Sequence, residues 1–157
     1  MIKTDFIYKA AISIGEVQEL GEIHSGRRRI IPITGGTFEG PKLSGTILPG
    51  GADWQVIRRD GNAFLEARYT MQTENGALIY VENKGYRHGP EDVMTRLANG
   101  EAVDPGSYYM RTTPFFETSD PDLDWLNRTI CVATGARAGL REAGCVCRRL
   151  IKVITKV

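Results

Sequence analysis

Between Gly50 and Gly85 apolar and polar side chains alternate with period two, the pattern of half-buried β-strands. Gln55–Arg59, Phe64–Thr73 and Ala77–Asn83 carry the alternation and are rich in β-branched and aromatic residues. Asp60-Gly61 and Asn75-Gly76 separate them. These dipeptides suit two-residue type I′ loops, in which both loop residues take positive φ. The stretch reads as three antiparallel strands joined by two tight hairpins. Such loops fix a register. Val56 faces Leu65, Gln55 faces Glu66 and Asp53 faces Arg68 across the first turn. Met71 faces Tyr80, Tyr69 faces Glu82 and Arg68 faces Asn83 across the second. One face then carries Trp54, Val56, Leu65, Ala67, Tyr69, Met71, Leu78, Tyr80 and Glu82. The other carries Asp53, Gln55, Ile57, Phe64, Glu66, Arg68, Ile79, Val81 and Asn83. A bulge at either turn slips the register by one residue and exchanges the faces.

The rest of the chain reads as more of the same sheet. Phe6–Ile14, Arg27–Ile33, Lys42–Leu48, Ser107–Thr113 with Phe115–Glu117, Leu123–Thr134 and Cys145–Val157 are expected strands. Glu16–Ile23 is a turn or short strand, and Gly135–Gly144 is a loop. The glycine-rich run Thr34–Pro41 lacks a phosphate-loop pattern and precedes no helix. Its glycines let strands bend at a barrel corner. Pro90, then Glu91 and Asp92, then Gly100 bracket the one clear helix. The fold class expected is all-β: a closed antiparallel β-barrel of about nine or ten strands with one short helix, in a single domain spanning 1–157. Closure removes the unpaired edges of a long meander, and a barrel of this size can hold a ligand.

Composition narrows the partners. Lys plus Arg number 20 and Asp plus Glu 19, so the chain lacks the basic excess of a nucleic-acid or anionic-membrane binder. No apolar run approaches the length of a bilayer span, and no cleavage pattern follows the N-terminus. A cytoplasmic location is expected. The three cysteines include a Cys145-x-Cys147 pair on one strand face, read as small buried hydrophobes. His24 and His88 lie in no ligand-spaced motif, so no metal and no cofactor is expected. Arg27, Arg28 and Arg29 cannot all share one face of a strand. They are either a solvated basic edge or supply one arginine to a carboxylate in the pocket.

Under the expected register Asp53, Arg68 and Asn83 form a row across three strands, with Gln55 and Glu66 beside them. A guanidinium between a carboxylate and an amide suits a small polar ligand. The same row on a wet face is an ordinary ion pair.

The strings GRRRIIPITGGTFEGPKLSGTILPGGADWQ, EARYTMQTENGALIYVENKG, YYMRTTPFFET and WLNRTICVATG resemble the family catalogued as domain of unknown function 3237, also called uncharacterised protein family 0311. The resemblance runs from about Gly26 to Gly135 and implies a compact antiparallel barrel. Arg28, Trp54, Arg68, Tyr69, Tyr80, Asn83, Arg111, Trp125 and Asn127 match the family pattern. The basic tail from Cys145 departs from it.

Three functions are open at this point. The first is a cofactor-independent enzyme of isomerase, cyclase or lyase type, acting on a small carbonyl or carboxylate metabolite. Glu66 or Asp53 is its base, Glu66 being preferred because Arg68 beside Asp53 would lower that carboxyl's pKa. Arg68 or Arg111 is the anion clamp. Trp54, Tyr69 and Tyr80 form the wall, and Asn83, Trp125 and Asn127 complete the ligand-binding set. The second is a lipocalin-like carrier of a hydrophobic small molecule. The third is a structural homo-oligomer.

Overall fold

The strands that the alternation calls for do form, and they close. The computed structural model describes residues 2–151. Its strands are β1 (Lys3–Ile14), β2 (Gln18–Ile23), β3 (Gly26–Glu39), β4 (Gly45–Ile47), β5 (Gly51–Ile57), β6 (Ala63–Thr73), β7 (Leu78–His88), β8 (Tyr109–Glu117), β9 (Cys131–Arg137) and β10 (Glu142–Ile151). One helix, α1 (Glu91–Ala98), and two 3-10 turns, Pro105–Ser107 and Pro121–Arg128, complete the described residues. The pairing runs β1–β10–β9–β8–β7–β6 and returns through β3 to β1. β4 and β5 both bridge β3 and β6, lying end to end as one stave. The result is a closed eight-stave antiparallel barrel, with β2 as an extra strand paired to β3.

The register differs from expectation by one residue at both hairpins. Ala67, not Arg68, faces both Asp53 and Asn83. Arg68 instead faces Ala52 and Glu82, and Met71 faces Ile79. Both loops have three residues. The Gly61 amide donates to the Arg58 carbonyl and the Arg58 amide to the Asn62 carbonyl, each at 2.9 Å. The same pair of bonds joins Thr73 with Gly76 and Ala77. Only the glycines take positive φ, 80° at Gly61 and 89° at Gly76. This is a type I turn closed by a glycine bulge, and the bulged residue supplies the slip.

Two further expectations are corrected. Leu123–Thr134 is not a strand: Pro121–Arg128 coils into a 3-10 turn, and β9 begins only at Cys131. Asp120 caps that turn, its carboxylate accepting from the Asp122 amide at 2.9 Å, and Pro121 occupies the first position, where its missing N–H costs nothing. The expected Gly135–Gly144 loop is mostly strand, since β9 runs to Arg137 and β10 starts at Glu142. Of the expected last strand, residues 152–157 lie outside the described residues.

The interior is divided lengthwise. One end is filled by Tyr8, Phe38, Met71, Ile79, Val81 and Phe116, and Leu126 of the 3-10 turn and Leu43 plug it. Cys147 is fully buried there and Cys145 packs alongside, as small hydrophobes do. The opposite end is roofed by α1, whose Leu97 packs with Val103 and Tyr108. The space between is where the site lies.

β3 is continuous through the glycine run and bends there, pairing with β5 before the bend and with β1 and β4 after it. At Gly36 φ is 140°, and a Cβ would collide with the Ala11 carbonyl oxygen. We expect Gly36→Ala to lower stability by about 1–3 kcal/mol, the range for forced backbone shifts. Gly106→Ala, where a Cβ makes ordinary contact, should stay within about 0.5 kcal/mol. Urea denaturation of both variants checks this.

Candidate functional site

The slipped register decides what faces inward. On β5 these are Asp53 and Gln55; on β6 Leu65, Ala67 and Tyr69; on β7 Asn83 and Arg87. With Ile12, Ile31, Met110, Arg137 and others they line a cavity of about 90 Å³. Its walls toward the plugged end are apolar. Its end toward α1 is charged.

Gln55, only 1% exposed, ties the charged end together. Its Nε2 donates to Asp53 Oδ2 at 3.1 Å. Its Oε1 accepts from Arg29 Nε at 3.2 Å and Nη2 at 2.5 Å, and from Arg87 Nη2 at 3.4 Å. The other Asp53 oxygen, Oδ1, accepts the Glu66 backbone amide at 2.8 Å. That bond breaks the ladder: β5 and β6 pair at Asp53 and again at Val56, with no pairing at Trp54 or Gln55 between them. The Trp54 carbonyl is taken by Arg28 Nη1 at 2.6 Å. Two strands thus part where the carboxylate enters, and side chains satisfy the groups the ladder gives up.

The electrostatics are unbalanced. Arg29, Arg87 and Arg137 converge on one interior carboxylate. Glu19 reaches Arg29 only from the rim, at 3.8 Å. Burial lowers the pKa of all three arginines. For Arg87, repulsion from the other two adds to burial and brings it to about 10, so it remains charged at neutral pH. Burial raises the Asp53 carboxyl above the ordinary carboxylate value, outweighing its hydrogen bonds and the nearby arginines. Among the described residues, three buried side-chain polar atoms have no protein partner: Asn83 Oδ1, Arg87 Nε and Arg137 Nε. Buried donors ordinarily find acceptors. This constellation can hold an anionic or carbonyl oxygen beside a carboxylate that burial makes easier to protonate.

Of the residues singled out from sequence, Asp53, Gln55, Asn83 and Tyr69 reach the cavity. Glu66 and Arg68 do not. They lie on the outer face in an ion-pair cluster, Arg68 at 3.0 Å from Glu66 and 3.8 Å from Glu82, with Lys84 at 3.5 Å from Glu66. The one-residue slip puts them there. Trp54 and Tyr80 also face outward, paired with Ile30 and Thr70, and Arg111 lies over the Tyr109 ring at 5.2 Å. Trp125 sits between Lys42 and Arg149 at the plugged end. Asn127 bonds both backbone groups of Thr118, accepting at 2.9 Å and donating at 3.0 Å, a structural role. Of the three consecutive arginines, Arg29 is the one that enters the interior. Arg87 and Arg137 went unrecognised in the sequence, Arg87 because it precedes the helix and Arg137 because it fell in an expected loop. The apolar match of Ile79 and Val81 with Tyr69 and Met71 was the available signal. Extending that face along β7 leads to Arg87.

The molecule is therefore a small closed antiparallel β-barrel, plugged at one end and carrying a charged cavity toward the other. The chain belongs to the family described as protein of unknown function (DUF3237), whose model matches residues 2–153. A UPF0311 protein of Rhodopseudomonas palustris is 45% identical over 136 residues, covering 87% of this chain and 89% of that protein. A solved β-barrel-like protein from Acinetobacter baumannii superposes with a TM-score of 0.84 at 44% identity, covering 96% of this chain and 97% of that one. An enzyme from Penicillium herquei shares the fold, with a TM-score of 0.71 at 20% identity over 96% and 95% of the two chains.

If Gln55 holds the cluster together, Gln55→Leu leaves Asp53 and two arginines short of partners. We expect a loss of about 1–3 kcal/mol, the cost of unsatisfied buried polar groups. Arg68→Ala removes surface ion pairs and should cost no more than about 1 kcal/mol. Chemical denaturation of the two variants separates the interior cluster from the outer one.

Proposed function

We propose that the protein is a cofactor-independent enzyme that moves a proton on a small carbonyl- or carboxylate-bearing metabolite held inside the barrel. Isomerisation, cyclisation and elimination all fit this class. The observation that carries the reading is the excess of guanidinium over carboxylate at the charged end of the cavity, with two buried arginine Nε atoms left unpartnered.

In this reading the roles change from those expected of the sequence. Asp53 replaces Glu66 as the base, and Arg87 with Arg137 replaces Arg68 or Arg111 as the clamp. Asp53 takes a proton from carbon beside the substrate carbonyl. The negative charge that develops on the carbonyl oxygen falls to the guanidinium groups, whose positions are set before the reaction begins. Asp53 then returns the proton at a second position, so no electrons are exchanged with a cofactor. Its raised pKa suits a group that must both accept and release a proton. Gln55 and the Glu66 amide fix the carboxylate's orientation.

A carrier of a purely hydrophobic molecule suits this interior less well, because it would leave three interior guanidiniums facing a single interior carboxylate. That a protein of the same fold is described as an enzyme is compatible with catalysis in this architecture.

The test is hydrogen–deuterium exchange at C3 of 2-oxobutanoate in D₂O, followed by proton NMR. We expect wild type to accelerate exchange and Asp53→Asn to reduce that rate by at least about 10²-fold. Exchange unaffected by Asp53→Asn would remove Asp53 as the base. The acid limb of the wild-type pH profile should lie above the ordinary aspartate value of 3.8, because the base must lose a proton that burial holds on. The same shift makes Asp53's contribution to stability full below 3.8 and lost as pH rises through its elevated pKa. Arg87→Met should keep or raise the melting temperature of the empty protein, since it removes a charge that burial disfavours, while abolishing the thermal shift produced by 2-oxobutanoate.

A further inference from the structure

The three arginines do not end a blind cavity. Arg87 and Arg137, which line the interior cavity, also line, together with Arg29, a second space of about 300 Å³ between the barrel rim and α1. Arg87 and Arg137 form a partition with the interior cavity on one side and this outer cleft on the other. From α1 the cleft takes Met94 and Leu97, and from the rim Ile57 and Ala63. Leu140, in the β9–β10 turn, closes one side. It rests against Gly100 just past the helix, where a Cβ would collide with it.

The two compartments differ in size and character. The inner one, at about 90 Å³, equals roughly three waters' share of liquid volume and suits a methyl- to propyl-sized group. The outer one is about three times larger by the two volumes, 300 against 90 Å³. It mixes apolar side chains with Thr95 and Glu91 at its mouth. Arg87 is 9% exposed, and its unpartnered Nε, like that of Arg137, belongs to a residue that borders both spaces. An anionic group held there sits between the compartments, not at the end of one.

We infer that the ligand is a branched carboxylic or oxo acid that spans the partition. Its charged group lies at the arginines, a short apolar arm enters the barrel and a larger, ring-sized arm lies under α1. This rests on the reading of the barrel interior as the ligand site and adds the second arm to it. A straight-chain fatty acid does not meet this requirement, because its charge is at one end and the inner cavity is too short for its tail. A sugar acid does not meet it either, because the inner arm would meet largely apolar walls such as Ile12, Leu65 and Met110.

The experiment compares 2-methylpropanoate with 2-methyl-3-phenylpropanoate by titration calorimetry on the full chain, in wild type, Thr95→Trp and Arg87→Met. Thr95 is exposed on α1 and lines the cleft, so the tryptophan fills the cleft without disturbing the barrel. We expect the phenyl compound to bind wild type at least tenfold more tightly. That ratio should fall to near one in Thr95→Trp, and both acids should be lost in Arg87→Met. Equal affinity of the two acids for wild type, with both lost in Arg87→Met, would overturn the second arm and leave the barrel site standing. A phenyl advantage that survives Thr95→Trp would overturn it as well. If neither acid binds wild type, the barrel reading falls and this inference falls with it.

Discussion

One buried amide holds together groups that would otherwise be costly to bury. Gln55 donates to Asp53 and accepts from Arg29 and Arg87, so its orientation is dictated from both sides. An isolated ion in a protein interior is strongly disfavoured, and a half-satisfied polar network is worse than an apolar core. The barrel meets that constraint in two ways. It opens the β5–β6 ladder so that a backbone amide can serve Asp53, and it concentrates dry packing at the opposite end. The plug of Leu126 and the aromatic cluster around Tyr8 allow the other end to hold charge.

The compensation is incomplete, and the incompleteness is local. Among the described residues, the unpartnered buried side-chain atoms are Asn83 Oδ1, Arg87 Nε and Arg137 Nε, all on residues lining the interior cavity. Elsewhere the polar side chains form ordinary outward clusters, such as Glu66, Arg68, Glu82 and Lys84. Unsatisfied polarity gathered in one place is expected of a functional site, where stability is given up for a prearranged environment.

Much of the fold was legible in the sequence because barrels are built from signals that act locally. Period-two alternation located most strands, paired glycine dipeptides located both hairpins, and Pro90 with Gly100 bracketed α1. The family resemblance was equally legible. The site was less so, because its composition depends on parity. A glycine bulge in place of a two-residue turn adds one residue to each loop and puts Ala67 where Arg68 was expected. Asp53 and Gln55 share a face in either register, so they were found together. Asn83 stayed with them because two slips cancel across β6. Glu66 and Arg68 went to the outside for the same reason. Arg137 comes from a segment that reads as loop and becomes strand only by pairing with β10, a contact that local sequence does not encode. Leu123–Arg128 carries a strand-like pattern, but it coils because the plug needs Leu126 at the barrel's end.

The central claim is that Arg87 and Arg137 hold an anion inside the barrel next to Asp53. A crystal structure of the protein soaked in 2-methylpropanoate tests it most directly. The account predicts carboxylate density with oxygens about 2.7–3.2 Å from the Nε atoms of both arginines and the apolar tail directed toward Leu65 and Met110. Arginine Nε atoms bonded only to ordered water, with the acid bound elsewhere or nowhere, would contradict it.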